Sequence, residues 1–169
     1  QVLAAIFGRT GRAKEREVML TEVVENLKNQ PVSNQAALIA GLYCLAGACE
    51  SDETAIAYLE YGRRIVDDSC SIEKRVQIDI LLGKLYFAEE MFSCCDAVLK
   101  EAIELGQWAP TVGNFELEEA FCRLSRLNLY YHQNYAEAKR LLDQVEELRT
   151  KNAFLPIGAN LETEYANFA

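Results

Sequence analysis

Small residues return along this chain at a nearly constant spacing: Gly41, Gly83 and Ser125 stand 42 and 42 positions apart, and Ala55, Cys95 and Ala138 stand 40 and 43 apart. A fixed period of this size means that one supersecondary unit is repeated, each copy burying against its neighbours an apolar face it cannot bury alone. The texture between the small residues says what that unit is. β-Branched residues never alternate with polar ones as they would in a strand, whereas apolar residues recur at three and four positions. Only three prolines occur, Pro31, Pro110 and Pro156, each where a helical pattern stops, as suits a residue that lacks an amide donor and clashes with the preceding turn. The chain reads as all-α.

The periodicity predicts helices over about 2–8, 13–29, 33–48, 53–67, 72–90, 92–106, 114–132, 134–151 and 158–169. That makes four hairpins and the opening of another, with repeats over about 1–31, 32–70, 71–112, 113–156 and 157–169 in a single repeat domain. Ser33 and Ser71 are placed to cap amide groups, Asp52 is followed by Glu53, and Asn134 precedes a first turn containing Glu137. Lys28, Arg63, Arg64, Arg149 and Lys151 fall near helix ends, where cations suit the dipole.

The central unit carries the clearest pattern: Leu82 and Gly83, then Tyr86, Phe92, Cys95, Leu99 and Ala102. Small residues at Gly83, Cys95 and Ala102 let two backbones approach, while Leu82, Tyr86, Phe92 and Leu99 fill the space between this hairpin and the next. These spacings resemble the tetratricopeptide signature, which implies an α-solenoid of antiparallel helix hairpins. The next unit repeats the second half with Tyr135, Ala138, Leu142 and Val145, but Ser125 and Arg126 stand where Leu-Gly stood. An earlier unit offers Ala40 and Gly41, then Ala55, Leu59 and Gly62 after a longer turn.

A period near 42 exceeds the roughly 34 residues of the ordinary tetratricopeptide. The extra residues fall between hairpins, at 67–71 and 107–114. Through Ala102-Ile103-Glu104-Leu105-Gly106 and Tyr135-Ala136-Glu137-Ala138-Lys139-Arg140-Leu141-Leu142, the chain resembles the superhelical domain of large LuxR-type, maltose-activator-like transcription regulators. That resemblance implies a regulatory segment that senses an effector or partner, with an NTP-binding switch before it and a helix-turn-helix after it. Neither motif lies in this chain, and residues 8–12 have the wrong spacing and no lysine for a phosphate loop. Gln1 opens on an apolar run, and residues 161–169 read as the start of another helix, so both ends read as cuts through repeating material. Exposed apolar faces on terminal helices 2–8 and 158–169 are expected to drive self-association.

Composition closes off several functions. The net charge of −9, from 26 acids and 17 bases, repels phosphate, so no direct nucleic-acid contact is expected of this segment. No apolar run approaches the roughly 18 residues of a membrane span. The six cysteines sit in apolar helical stretches or side by side (Cys94, Cys95) with no signal peptide, which reads as reduced thiols in the cytoplasm. Cys94 and Cys95 point about 100° apart on a helix and no Cys-x-x-Cys occurs, so Cys95 reads as a compact packing residue in place of alanine and no metal is expected. His132, the only histidine, falls at a helix C-terminus with no indicated partner and reads as a polar turn residue. The acidic clusters around Glu89-Glu90, Glu116–Glu119 and Glu146-Glu147 read as solvated helix faces. No nucleophile arrangement or cofactor motif occurs; the chain reads as a non-catalytic module without a cofactor.

Function then rests on a surface. Repeat arrays of this kind bind along the wall made by successive first helices. The register places on it Gln77, Ile80, Lys84 and Phe87; Arg123, Leu127, Tyr130 and Tyr131; and Gln35, Leu38, Leu42 and Leu45. An aromatic, aliphatic and arginine mixture suits a protein or peptide partner, with a small inducer as a further candidate. The carboxylate clamp of chaperone adaptors needs a Lys and Asn set that Ile80, Lys84 and Leu42 do not supply. A general scaffold or adaptor without a DNA-binding parent is the alternative to the regulator.

Overall fold

The computed structural model describes residues 13–28, 35–49, 51–66, 72–109 and 112–151, with the side chains of 13, 16, 35, 36 and 151 left aside. Seven helices run through these residues: α1 Ala13–Lys28, α2 Gln35–Ala46, α3 Asp52–Ile65, α4 Ile72–Ala88, α5 Phe92–Trp108, α6 Asn114–Tyr130 and α7 Tyr135–Lys151. No strand occurs among the described residues. The expected helices 2–8 and 158–169, the self-association assigned to them, and the caps at Ser33 and Ser71 lie outside the described residues. Within them, α4 ends at Ala88, short of 90, and α5 runs on to Trp108, beyond 106. Contacts divide the chain into two compact units, 1–78 and 79–169, with the division inside α4.

The first unit is built on α2, whose twelve residues include no charged side chain. Leu38, Leu42 and Leu45 on α2 meet Leu20 and Val24 of α1, with Tyr58, Tyr61 and Ile65 of α3 packed against the same cluster. The spacings of four and three residues put these leucines on one stripe, and each full burial contributes about 1.5–3 kcal/mol. An added Cβ at Gly41 would meet α1, at Val24 Cγ2 (3.2 Å) and Leu27 Cδ1 (3.8 Å), so this glycine serves the approach of α1. Ser51 caps α3 by accepting from the Thr54 amide at 3.4 Å, one residue before the expected Asp52 start.

In the second unit two hydrogen bonds lock the small-residue slots. Cys95 Sγ of α5 donates to the Gly83 carbonyl of α4 at 3.2 Å, and Ser125 Oγ of α6 donates to the Ala138 carbonyl of α7 at 2.9 Å. Both pairs are buried, twelve and thirteen residues apart. Ser125 therefore occupies the Gly83 slot of the next hairpin, with the direction of donation reversed between the helices. Burial, with Asp96 next in the chain, pushes the Cys95 thiol up to about 11, which keeps it protonated as a donor. Half-buried Arg149 and Glu118 pair across α7 and α6.

The turns that close these hairpins share a geometry. Glu90 and Gln133 both lie in the left-handed region, at φ 58° and 51°. The residue after each folds its amide back into the preceding helix: Met91 N–H donates to Tyr86 O at 2.8 Å, and Asn134 N–H to Asn128 O at 2.9 Å. Such bonds answer carbonyls that a helix C-terminus otherwise leaves open. Asn134 then caps α7, accepting from the Glu137 amide at 3.2 Å.

Candidate partner-binding surface

The α4–α5 and α6–α7 turns of the second unit bring four rings together. Phe87, on the last turn of α4, meets Phe92, the first residue of α5, edge to face with centroids 5.8 Å apart. Phe92 lies against Tyr131 at 4.1 Å, tilted by 30°, and Tyr131 meets His132 edge-on at 5.0 Å. His132 Nε2 stands 3.9 Å from Asp96 Oδ1 of α5. The two edge contacts are of a favoured aromatic geometry, and with the close tilted pair they hold the rings together before anything binds. Phe87 (37%), Met91 (43%), Tyr131 (51%) and Tyr130 (59%) nonetheless remain exposed. We refer to this patch as the ledge.

Phe87, Tyr130 and Tyr131 were expected on a binding wall, and Phe87 and Tyr131 are joined here through Phe92, which the sequence suggested only as packing. Lys84 is exposed one turn before Phe87. His132 has an acidic neighbour the sequence did not indicate, because Asp96 lies 36 positions away and only the hairpin stack brings it near. Five other residues of the expected wall are core. Ile80 (5%), Leu38 (8%), Leu42 and Leu127 (both 0%) are buried, as is Leu45. Periodicity puts Ile80 and Phe87, seven positions apart, within about 20° of each other around the axis, but it does not say how far a neighbour covers them. Ile80 sits in mid-helix under its neighbours, while Phe87 emerges at the turn. Arg123 is half-buried and its Nε donates to Glu119 Oε1 at 3.1 Å along α6, so its charge is answered. Gln77, in the first unit, is likewise engaged, its amide donating to Glu73 at 3.3 Å and its carbonyl accepting from Lys74 at 2.8 Å. The side chain of Gln35 lies outside the described residues.

A cleft of about 380 Å³ opens at the opposite ends of the same helices, lined by Gly106, Val112, Leu117, Phe121, Gln144 and Leu148 among others. Among the described residues, no three His, Cys, Asp or Glu side chains are grouped to hold a metal, the cysteines Cys44, Cys49, Cys94, Cys95 and Cys122 form no disulfide, and no helix is long and apolar enough to cross a membrane.

Helix hairpins closed by short turns and locked at paired small residues define a tetratricopeptide-like fold of the α-solenoid class. Solved structures agree. A putative kinesin light chain from Podosopora anserina with nearly identical TPR-like repeats matches over 98% of this chain and 79% of its own, at 19% identity and a TM-score of 0.77. A second structure described in the same terms matches at 0.74 and 19% identity, over 98% of this chain and 80% of its own. BtubC (BKLC) from P. vanneervenii matches at 0.79 and 13% identity over 92% of this chain, which spans 64% of that protein. No family model and no curated protein matches the sequence.

Proposed function

We propose that this chain is a non-catalytic interaction module whose second unit binds a polypeptide partner through the ledge of Phe87, Met91, Phe92, Tyr130 and Tyr131. The observation that carries the reading is that Phe87 and Tyr131, each in ring contact with Phe92, remain exposed together with their chain neighbours Met91 and Tyr130. Contiguous apolar patches of this kind mark interaction sites, and tyrosine is enriched among the residues that carry binding energy. Pre-stacked rings lose little side-chain freedom on binding, which lowers the cost of association. The description of two neighbours by TPR-like repeats fits a scaffold role. The free thiols fit a reducing compartment, and the reading places the module in the cytoplasm.

The finer reading, an effector-sensing segment of a LuxR-type regulator, rests on the likeness at 102–106 and 135–142; a helix-turn-helix encoded downstream in the same gene would support it, and a parent without one would favour the adaptor. A small inducer is a second reading for the cleft between the α5–α6 loop and the end of α7, whose volume falls within the roughly 300–1,000 Å³ of ligand pockets. The ledge is tested by placing a photoreactive phenylalanine analogue at position 131 or 87 of the full-length parent in its own cells. Covalent adducts with a polypeptide should form from both positions and not from position 108, where Trp108 is also exposed. Equal crosslinking from position 108, or none from the ledge, would refute the assignment.

A further inference from the structure

The ledge also carries a charge pattern, and the inference drawn from it rests on the reading of the ledge as a partner surface. The two stretches that present the rings, 85–99 and 127–138, hold four carboxylates, Glu89, Glu90, Asp96 and Glu137, and no lysine or arginine. Two of the four are answered from just outside: Lys100 lies 2.7 Å from Asp96, and Arg140 lies 2.7 Å from Glu137. Glu89 and Glu90 are exposed and engage no cation among the described residues. Both sit in the turn between Phe87 and Phe92, and the bond from Met91 N–H to Tyr86 O holds that turn in shape. Exposed ring faces and unanswered carboxylates thus occupy one place on the molecule.

We infer that the ledge takes an arginine-bearing apolar segment of a polypeptide partner. A guanidinium is planar and weakly hydrated, so it stacks on a tyrosine or phenylalanine face while its edge donates to a carboxylate. A lysine ammonium is a compact, strongly hydrated charge and serves the carboxylate or the ring, not both together. An apolar residue beside the arginine covers Phe87 and Met91, whose exposed surface no described residue covers. The chain's net charge of −9 draws cationic partners from a distance, and Lys84, one turn before Phe87, repels the arginine from that end and fixes its place at the turn.

The test is selection of short random peptides displayed against the wild-type chain at about 0.15 M salt, where surface charges are screened beyond about 8 Å. Enriched peptides should carry arginine next to an aliphatic or aromatic residue. Their affinity should fall about tenfold in Phe87→Ala or Tyr131→Ala, as for a truncated anchor residue. It should fall several-fold when the arginine is changed to lysine, and again in the doubly substituted Glu89→Gln, Glu90→Gln chain, whose changes are at exposed turn positions and leave the fold intact. Glu89→Lys with Glu90→Lys should shift selection toward acidic peptides. Enrichment without a positive bias, or binding indifferent to the Glu89 and Glu90 changes, would overturn the arginine inference while the ledge stands. Peptides indifferent to Phe87→Ala and Tyr131→Ala, or no enrichment at all, would overturn the ledge itself.

Discussion

Replacing Gly83 by alanine puts a methyl group 2.6 Å from Leu99 Cδ2 and 2.7 Å from its Cγ, about an ångström inside the contact distance of carbon atoms. Leu99 is fully buried. Extra volume in a packed core costs about 1–3 kcal/mol, against which alanine's helix propensity returns about 1 kcal/mol. Gly62 offers the matched control in the interior of α3: the same methyl would meet Ile78 and Leu42 at 3.5 Å, an ordinary contact, so the propensity gain of about 1 kcal/mol survives. Gly83→Ala should therefore lose up to about 2 kcal/mol and Gly62→Ala gain about 1, a separation of about 1–3 kcal/mol, or roughly 2–12 °C in Tm for a chain of this size. Far-UV circular dichroism during thermal and urea unfolding reads both. In a double-mutant cycle, adding Leu99→Ala should cost Gly83→Ala less than it costs the wild type, since the leucine removed is the one displaced. A Gly83→Ala chain stabilised as much as Gly62→Ala, or additive effects in the cycle, would refute the close approach of α4 and α5 at this slot.

Gln133 holds a left-handed conformation that costs a side-chain-bearing residue about 1–2 kcal/mol, so Gln133→Gly should raise the urea midpoint with an unchanged slope. Cys95, buried and with its thiol pushed up to about 11, should resist iodoacetamide at pH 8 until the chain unfolds, whereas exposed Cys94 should label in the native state; peptide mass mapping separates the adjacent sites through the Cys94→Ser variant. The hydrogen bonds from Arg140 hold the Glu137 carboxyl below its ordinary value of 4.5, so its stabilising contribution is complete above that value and is lost as pH falls through the lower folded value. Stability curves from about pH 6 to about pH 3, across the unperturbed carboxylate range, should fall less steeply for Glu137→Gln than for the wild type.

Sequence alone determined the helices and their pairing, because both follow from local physics. Apolar spacing of three and four selects the helix, prolines end it, and small residues at Gly83, Cys95 and Ala138 mark where backbones meet. The observed helix bounds depart from that reading by no more than two residues, mainly at turns such as Glu89-Glu90, where a left-handed residue ends the helix sooner than periodicity suggests. Ser125 looked like a break in the pattern and is instead the same slot filled by a hydroxyl, since a donor to the Ala138 carbonyl does there what Cys95 does for Gly83.

The surface was decided only by tertiary structure. Periodicity assigns a residue to a face, and Ile80, Leu127 and Phe87 all fit the face it chose. Whether that face meets water depends on where the neighbouring helix stops, which no local pattern encodes; Ile80 and Leu127 are covered and Phe87 is not. The meeting of Phe87, Phe92, Tyr131, His132 and Asp96 joins three helices across 45 positions of sequence. It exists because antiparallel hairpins stacked side by side place their turns at one end, and so bring together residues whose separation along the chain gives no sign of contact.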